Sequence, residues 1–345
     1  MSMAEVALIL NEMDDADIGQ KMDIYVVAQN VTQDSVDIAF KTSSNIGRLL
    51  NQAYGLNTPA LEELYTWNDV IESEVALAAI SRSEVAFMTL MTSKVTKDIM
   101  LSPTTINIII NSNDVMRNIC AFSDEGSYFV MANNILWEAI RNSGTALSAL
   151  IHSEIFRRSI INLRDVMTTI SNSSIAVSAV CKSSRVLNLI TKSSCSDIFV
   201  ASPYISNNIA NISDACKDTA YFTRQGVYMA AHSDTATFAY HNIAIGHYSN
   251  SWSTTRSESI HKNGLYIIKS MQICSTSSTS YYGSIYSASS NNSLIELATA
   301  SGTYDAIPIN KIAMGSMAIG GSRGIVTPSW NPNGTTPAGE AFLAI

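Results

Sequence analysis

The sequence predicts an α + β multidomain chain, in which a solenoid of very short helices on a ten-residue repeat precedes an antiparallel β-sandwich or jelly-roll-like domain. Three observations predict it. Between residues 31 and 220 the last residue of every ten is apolar, from Phe40 and Leu50 to Ala210 and Ala220, where a 46% apolar composition would make fewer than half of them so. From residue 71 onward the third residue of most tens is Ser or Asn. After about residue 220 this beat stops, and strand-like runs alternate with clusters of Gly, Asn and Ser.

The first region, residues 1–70, is expected to be an attachment or capping segment in which the repeat fades, because the terminal units of a stack must end it on one side. It carries eleven acids against Lys21, Lys41 and Arg48, and so holds a net charge equal to that of the whole 345-residue chain, −8. That acidity reads either as a solvated face or as a docking surface for a basic partner. The run "MDIYVVAQNV" at 22–31 suits a strand or a helix, and "YGLNTP" at 54–59 marks a local break. The opening "MSMAEVALILNEMDD" has no basic segment followed by a long apolar one, so it does not read as a signal peptide.

The second region, 71–220, holds the clearest units. Ser73, Ser83, Ser93, Ser143, Ser153, Ser173, Ser183 and Ser193 are the expected helix caps, with Ser123, Ser213, Asn113 and Asn133 at the same place and Pro103, Leu163 and Pro203 as exceptions. A short side-chain oxygen there accepts a hydrogen bond from an unsatisfied N–H of the first helical turn. Apolar residues at positions 5, 6, 9 and 10, as in Ile175, Ala176, Ala179 and Val180, then describe one face of a short helix. One unbroken helix is excluded, because ten residues advance an α-helix by about 1000° and the apolar stripe would slip by roughly 80° per unit. A two-turn helix, a tight turn and a new cap solve this, with stability drawn from stacking on neighbouring units. "FSDEGSYFVM" (122–131) departs from the pattern by placing Glu125 and Gly126 where apolar residues belong, and "NLRDVMTTI" (162–170) has lost its cap.

The third region, 221–345, contains only 11 charged residues in 125. Its strand-like runs are 235–245, 264–274, 281–289, 293–300, 306–319 and 339–345, separated by "SSNNS", "IGGSRG" and "NPNGTTP". Short runs with turn chemistry between them suggest a sandwich.

Composition narrows the function classes. Charged residues make up 14% of the chain, with Ser, Thr, Asn and Ala in their place, which suits extracellular or particle-bound structural proteins better than a cytosolic enzyme. There is no basic patch able to neutralise several phosphates, so nucleic-acid binding is disfavoured. No 18-residue window is wholly apolar, so no membrane insertion is expected. The five cysteines (Cys120, Cys181, Cys195, Cys216, Cys274) show no metal-binding spacing, and buried thiols in a reducing compartment are expected.

The units SEVALAAI (73–80), SEVAFMTL (83–90), SGTALSAL (143–150) and SSIAVSAV (173–180) resemble tandem decads of the form S-x-x-A-x-x-A-[IV] in virion proteins of tailed bacteriophages, which are often followed by a β-rich C-terminal domain. The resemblance covers about 150 residues well and implies a particle component: a tail fibre, a collar or whisker-like appendage, or a head decoration protein. It further implies a homo-oligomer, with a trimer favoured, that assembles in the host cytoplasm, docks on other virion proteins through its N-terminal region and displays its C-terminal domain outward.

Catalytic templates find no foothold. His241 and His247 would share one face of a strand, but no Cys or paired carboxylate lies near them in sequence. No G-x-S-x-G elbow occurs, "GGSRG" at 320–324 lacks the ending of a phosphate loop, and "DDAD" at 14–17 lacks the glycine and distal Glu of a calcium loop. Only five acids lie beyond residue 220, too scattered to suggest a glycosidase pair. The reading is therefore of a non-enzymatic protein with no cofactor, metal or catalytic residue. The C-terminal region is nevertheless rich in tyrosine, and Trp252, Arg256, Tyr281, Tyr282 and Trp330 form the candidate surface for recognising a host glycan or protein.

Overall fold

A computed structural model describes residues 45–216 and, beyond them, the strand segments 239–240, 243–244, 256–274, 282–288, 294–301, 306–322, 325–327 and 341–343. The chain divides into two compact units, Met1–Phe156 and Arg157–Ile345, a division that falls inside the repeat. Most described residues up to Cys216 lie in helices of four to nine residues. The ten-residue beat is thus a train of short helices.

In the first unit the chain opens with Ile46–Tyr54, capped by Asn45, and a 3-10 turn at Pro59–Glu63. The two press so closely that a Cβ on Gly47 would lie 1.7 Å from the Leu61 carbonyl oxygen, so only glycine fits. The buried Asn51 amide locks the intervening loop, donating to Thr58 O and accepting from Thr58 N. Trp67–Ile71 follows, opened by a reciprocal capping box between Thr66 and Asp69. The regular units begin at Glu74–Arg82 and Glu84–Thr92. Ser83 closes the first of these and opens the second, and the two axes bend by 111° about it.

Corners of that size bring the chain round almost full circle in three units, and hydrogen bonds mark the return. Asn118 donates to Ala78 O and Ser81 Oγ, and Ser143 Oγ donates to Ile110 O. In the second unit Ser193 Oγ donates to Ile161 O, and Ser202 Oγ donates to Ser171 O at 2.6 Å. One turn therefore takes 31–33 residues, or 37–40 where it includes the segment 93–102, whose only helix is Lys97–Met100.

Inside the turns lie the sixth, seventh and tenth residues of most units. Ala76, Leu77 and Ile80 are buried, as are Ala86, Phe87 and Leu90, and the pattern repeats at Ala146, Leu147 and Leu150. In the second unit it continues with Val166, Met167 and Ile170, then Ala176, Val177 and Val180, then Val186, Leu187 and Ile190. At 100° per residue these three positions fill a sector about 100° wide, which is the core face. The fifth position, expected on that face, points away from it in four units, where Val75, Val85, Ile135 and Ile175 are 55%, 68%, 54% and 57% exposed, while Thr105, Val115, Cys195 and Ile205 at the same place are buried.

The cap assignments divide. Ser73, Ser83, Ser143, Ser173 and Ser183 each accept from the backbone N–H three residues on, and Ser153 directly precedes Glu154–Ile160. Ser123 and Asn133 cap in the same way. Ser93 and Ser193 open no helix. Each accepts from an N–H two residues on, forming a tight turn, and Ser193 is buried beneath the previous turn of chain. Asn113 is corrected by one residue, because Ser112 is the cap and shifts the buried set to Val115, Met116 and Ile119. Likewise Ser102 caps the helix that Pro103 begins, and Ser213 lies within Ile209–Cys216. Leu163 precedes Arg164–Ser171 with no side-chain cap, as its lost hydroxyl requires.

Beyond Cys216 the described strands are all antiparallel. β1 (Ala239–Tyr240) and β2 (Ile243–Ala244) form a small ladder. Six strands form a second sheet: β3 (Arg256–Cys274), β4 (Tyr282–Ala288), β5 (Leu294–Ser301), β6 (Ala306–Ser322), β7 (Ile325–Thr327) and β8 (Ala341–Leu343). Their order is β5-β4-β6-β3-β7, with β8 also on β3. β3 and β6 are its long central pair, and Leu265, Tyr266 and Ile267 lie opposite Met314, Ala313 and Ile312. All six are buried. Neighbouring residues of a strand face opposite sides, so the sheet is covered on both faces at this point.

Candidate functional site

Two surfaces stand out once the fold is known. The first lies on the helices of the N-terminal unit. Gly126 stands at a core position because another side chain needs its space: a Cβ there would lie 2.5 Å from Glu84 Oε1. The Glu84 carboxylate accepts from the Ser123 backbone N–H at 2.8 Å and from its hydroxyl, while Ser123 Oγ accepts from Gly126 N. The helix Asp124–Ala132 is thus capped by its own serine and steadied by a carboxylate from the preceding turn of chain. The next residue, Ser127, is wholly buried at the seventh position, and its hydroxyl has no hydrogen-bond partner among the described residues. Gly126 in "FSDEGSYFVM" is therefore a fitted exception to the repeat, while Glu125 is exposed.

Beside this helix runs a groove of about 470 Å³ lined by Met91, Lys97, Leu101, Phe129, Ala132 and Ile135. Exposed Ile135 belongs to its lining, and exposed Tyr128 lies on the same helix as Phe129 and Ala132. Nearby the core is aromatic, with Phe87 edge-on to Phe122 at 5.5 Å and Trp137 stacked on Phe156 at 6.1 Å. Sequence reasoning missed the groove, since its walls come from two turns of chain. Its only sequence signal is the irregular unit at 93–102.

The second surface is one end of the six-stranded sheet. Arg256 opens β3 opposite Gly321 of β6, and Gly321 faces Gly283 of β4 on its other side. Tyr282 opens β4 one residue further along, opposite Ser322. The register therefore brings Arg256 and Tyr282 to the same end, two strands apart, across a stretch of β6 that is glycine and serine. Trp252, Tyr281 and Trp330 lie outside the described residues, as do His241, His247 and the acidic segment before residue 45.

Asp69 is held below the usual carboxylate range, first by the Thr66 backbone N–H and then by the Thr66 hydroxyl. Burial pushes the thiols of Cys181 and Cys216 up to about 12, which keeps them protonated. Among the described residues no three His, Cys, Asp or Glu side chains gather where they could hold a metal ion. No single helix among them is long and apolar enough to cross a membrane. No protein-family model matches the chain, and no curated protein matches it.

Proposed function

We propose that this protein is a non-enzymatic structural component of a bacteriophage particle, a tail fibre or a collar or whisker-like appendage. In this reading the N-terminal region docks on other virion proteins, the helical turns act as spacer, and a C-terminal β-sandwich faces outward. The observation that supports it best is the repeated use of Ser-capped two-turn helices joined turn to turn by side-chain hydrogen bonds. Such a stack gains stability from each neighbour in turn, which suits a spacer whose length is set by unit number. The six-stranded antiparallel sheet supports a β-rich C-terminal domain, with Ser184–Thr191 packed on β3 and Ser196–Val200 on β6.

The protein in this reading is a homotrimer, and the outward Val75, Val85, Ile135 and Ile175 are its contacts with other copies or with virion partners. Light scattering on the purified full chain tests the assembly. A trimer is the expected result, and a stable monomer at micromolar concentration rejects it. Electron microscopy of the intact particle, with this chain tagged, tests the location, a head-surface position favouring a decoration protein instead.

One observation favours a second role for the same molecule, recognition of a host glycan or protein. Arg256 and Tyr282 share an end of the sheet, and the stretch of β6 that separates them is glycine and serine. Arg256→Ala and Tyr282→Ala should each weaken binding to host cells at least tenfold if that end is the contact. Unchanged binding across Trp252, Arg256, Tyr281, Tyr282 and Trp330 would discard this role.

A further inference from the structure

Four cysteines of the helical turns are thiols, and two of them are placed alike. Ser174–Cys181 and Ile209–Cys216 pack against each other, and each helix ends on its cysteine. The buried pairs Val177 with Cys181 and Ile212 with Cys216 have the same four-residue spacing, so both helices present the same face inward. Both thiols are fully buried in the unit Arg157–Ile345. We infer that Cys181 and Cys216 form a cross-linking site between packed helices, held as two thiols and closed to a disulfide by a hydroperoxide.

The chemistry balances in two steps. One sulfur attacks hydrogen peroxide to give a sulfenic acid, releasing one water. The other thiol then displaces the sulfenic oxygen as a second water, and the S–S bond forms. Charge on Cys216 reaches Cys181 and adds to the effect of burial, in keeping with two sulfurs close together. The same burial keeps the thiolate scarce, so closure is slow and waits on local opening of the helix ends. The product would tie together residues 35 apart in sequence, a constraint that removes freedom mainly from the unfolded chain. None of this depends on the virion reading.

The test uses the purified full chain, incubated with hydrogen peroxide, blocked with iodoacetamide under denaturing conditions and mapped by mass spectrometry without reduction. The expected result is a peptide pair joined through Cys181 and Cys216, two mass units lighter than the separate thiols. An unfolding midpoint higher by roughly 5–10 °C should accompany it and revert with dithiothreitol. Cys181→Ala and Cys216→Ala should each abolish the oxidant-dependent shift, while Cys195→Ala should keep it. Full alkylation of both cysteines after oxidation, conversion to separate sulfinic acids, or a disulfide from either one to Cys120 or Cys195 would overturn the inference. Mapping of the unsubstituted chain decides the matter even where a variant fails to fold.

Discussion

Gly126 shows how much one side chain decides in a repeat this tight. Alanine there would ordinarily favour the helix by about 1 kcal/mol, but its Cβ would evict the Glu84 carboxylate from Ser123, at a cost of about 1–3 kcal/mol. Gly126→Ala should therefore be neutral or destabilising alone and stabilising in a Glu84→Ala background, a sign change that a double-mutant cycle in urea would detect. Its neighbour Ser127 places a hydroxyl in the core without an acceptor among the described residues, so Ser127→Ala should raise stability by about 1 kcal/mol in the same assay. The buried thiols predict a pH dependence. Their folded pKa values are raised, so their contribution is complete below the unfolded value of 9.0 and is lost as pH climbs toward about 12. Thermal scans between pH 8 and 11 should fall more gently for a Cys181→Ala, Cys216→Ala double variant than for the parent. Asp69 works in the opposite sense, its contribution to the Thr66 cap fading only below the ordinary carboxylate range.

The short helix is the element on which the molecule depends, and its cap is the residue that sequence reveals best. Ser173→Ala and Ser183→Ala should each cost about 1 kcal/mol, the usual loss when a side-chain cap is removed. Ser193→Ala should cost more, because that buried hydroxyl both donates to Ile161 O and accepts from Cys195 N. Circular dichroism melts of the three variants would establish the order. Serine spacing made most caps legible, but Ser93 and Ser193 show its limit: a serine that turns the chain within two residues looks the same in sequence as one that opens a helix. The choice of core face was harder to read. Valine or isoleucine at the fifth position satisfies the apolar count as well as a buried residue does, and only the position of the neighbouring turn shows that Val85 faces out while Phe87 faces in. Gly126 was illegible for a related reason, since the residue that explains it lies 39 or more positions away.

At the scale of the whole molecule, the two halves of the sequence were legible by different signals. Periodicity marked the helical turns up to Cys216, and the change in composition marked the strands, whose pairing order is set by contacts far apart in sequence. β7 escaped notice because Ile325–Thr327 is too short for alternation to register. Turns linked mainly to their neighbours should unfold with low cooperativity, so replacing the stacked Phe156 by alanine should cost about 3–5 kcal/mol locally. Hydrogen exchange should then show protection lost around residues 134–156 and retained elsewhere. The corner at Ser83 carries a consequence for how such a chain can change in length. Each corner swings the next segment through about a third of a circle, so losing one decad would re-aim every side chain downstream of it within that unit. Losing three together would restore the heading and only shorten the reach. Insertions and deletions that preserve whatever these outward residues grip should therefore come in thirties, like threads removed from a screw.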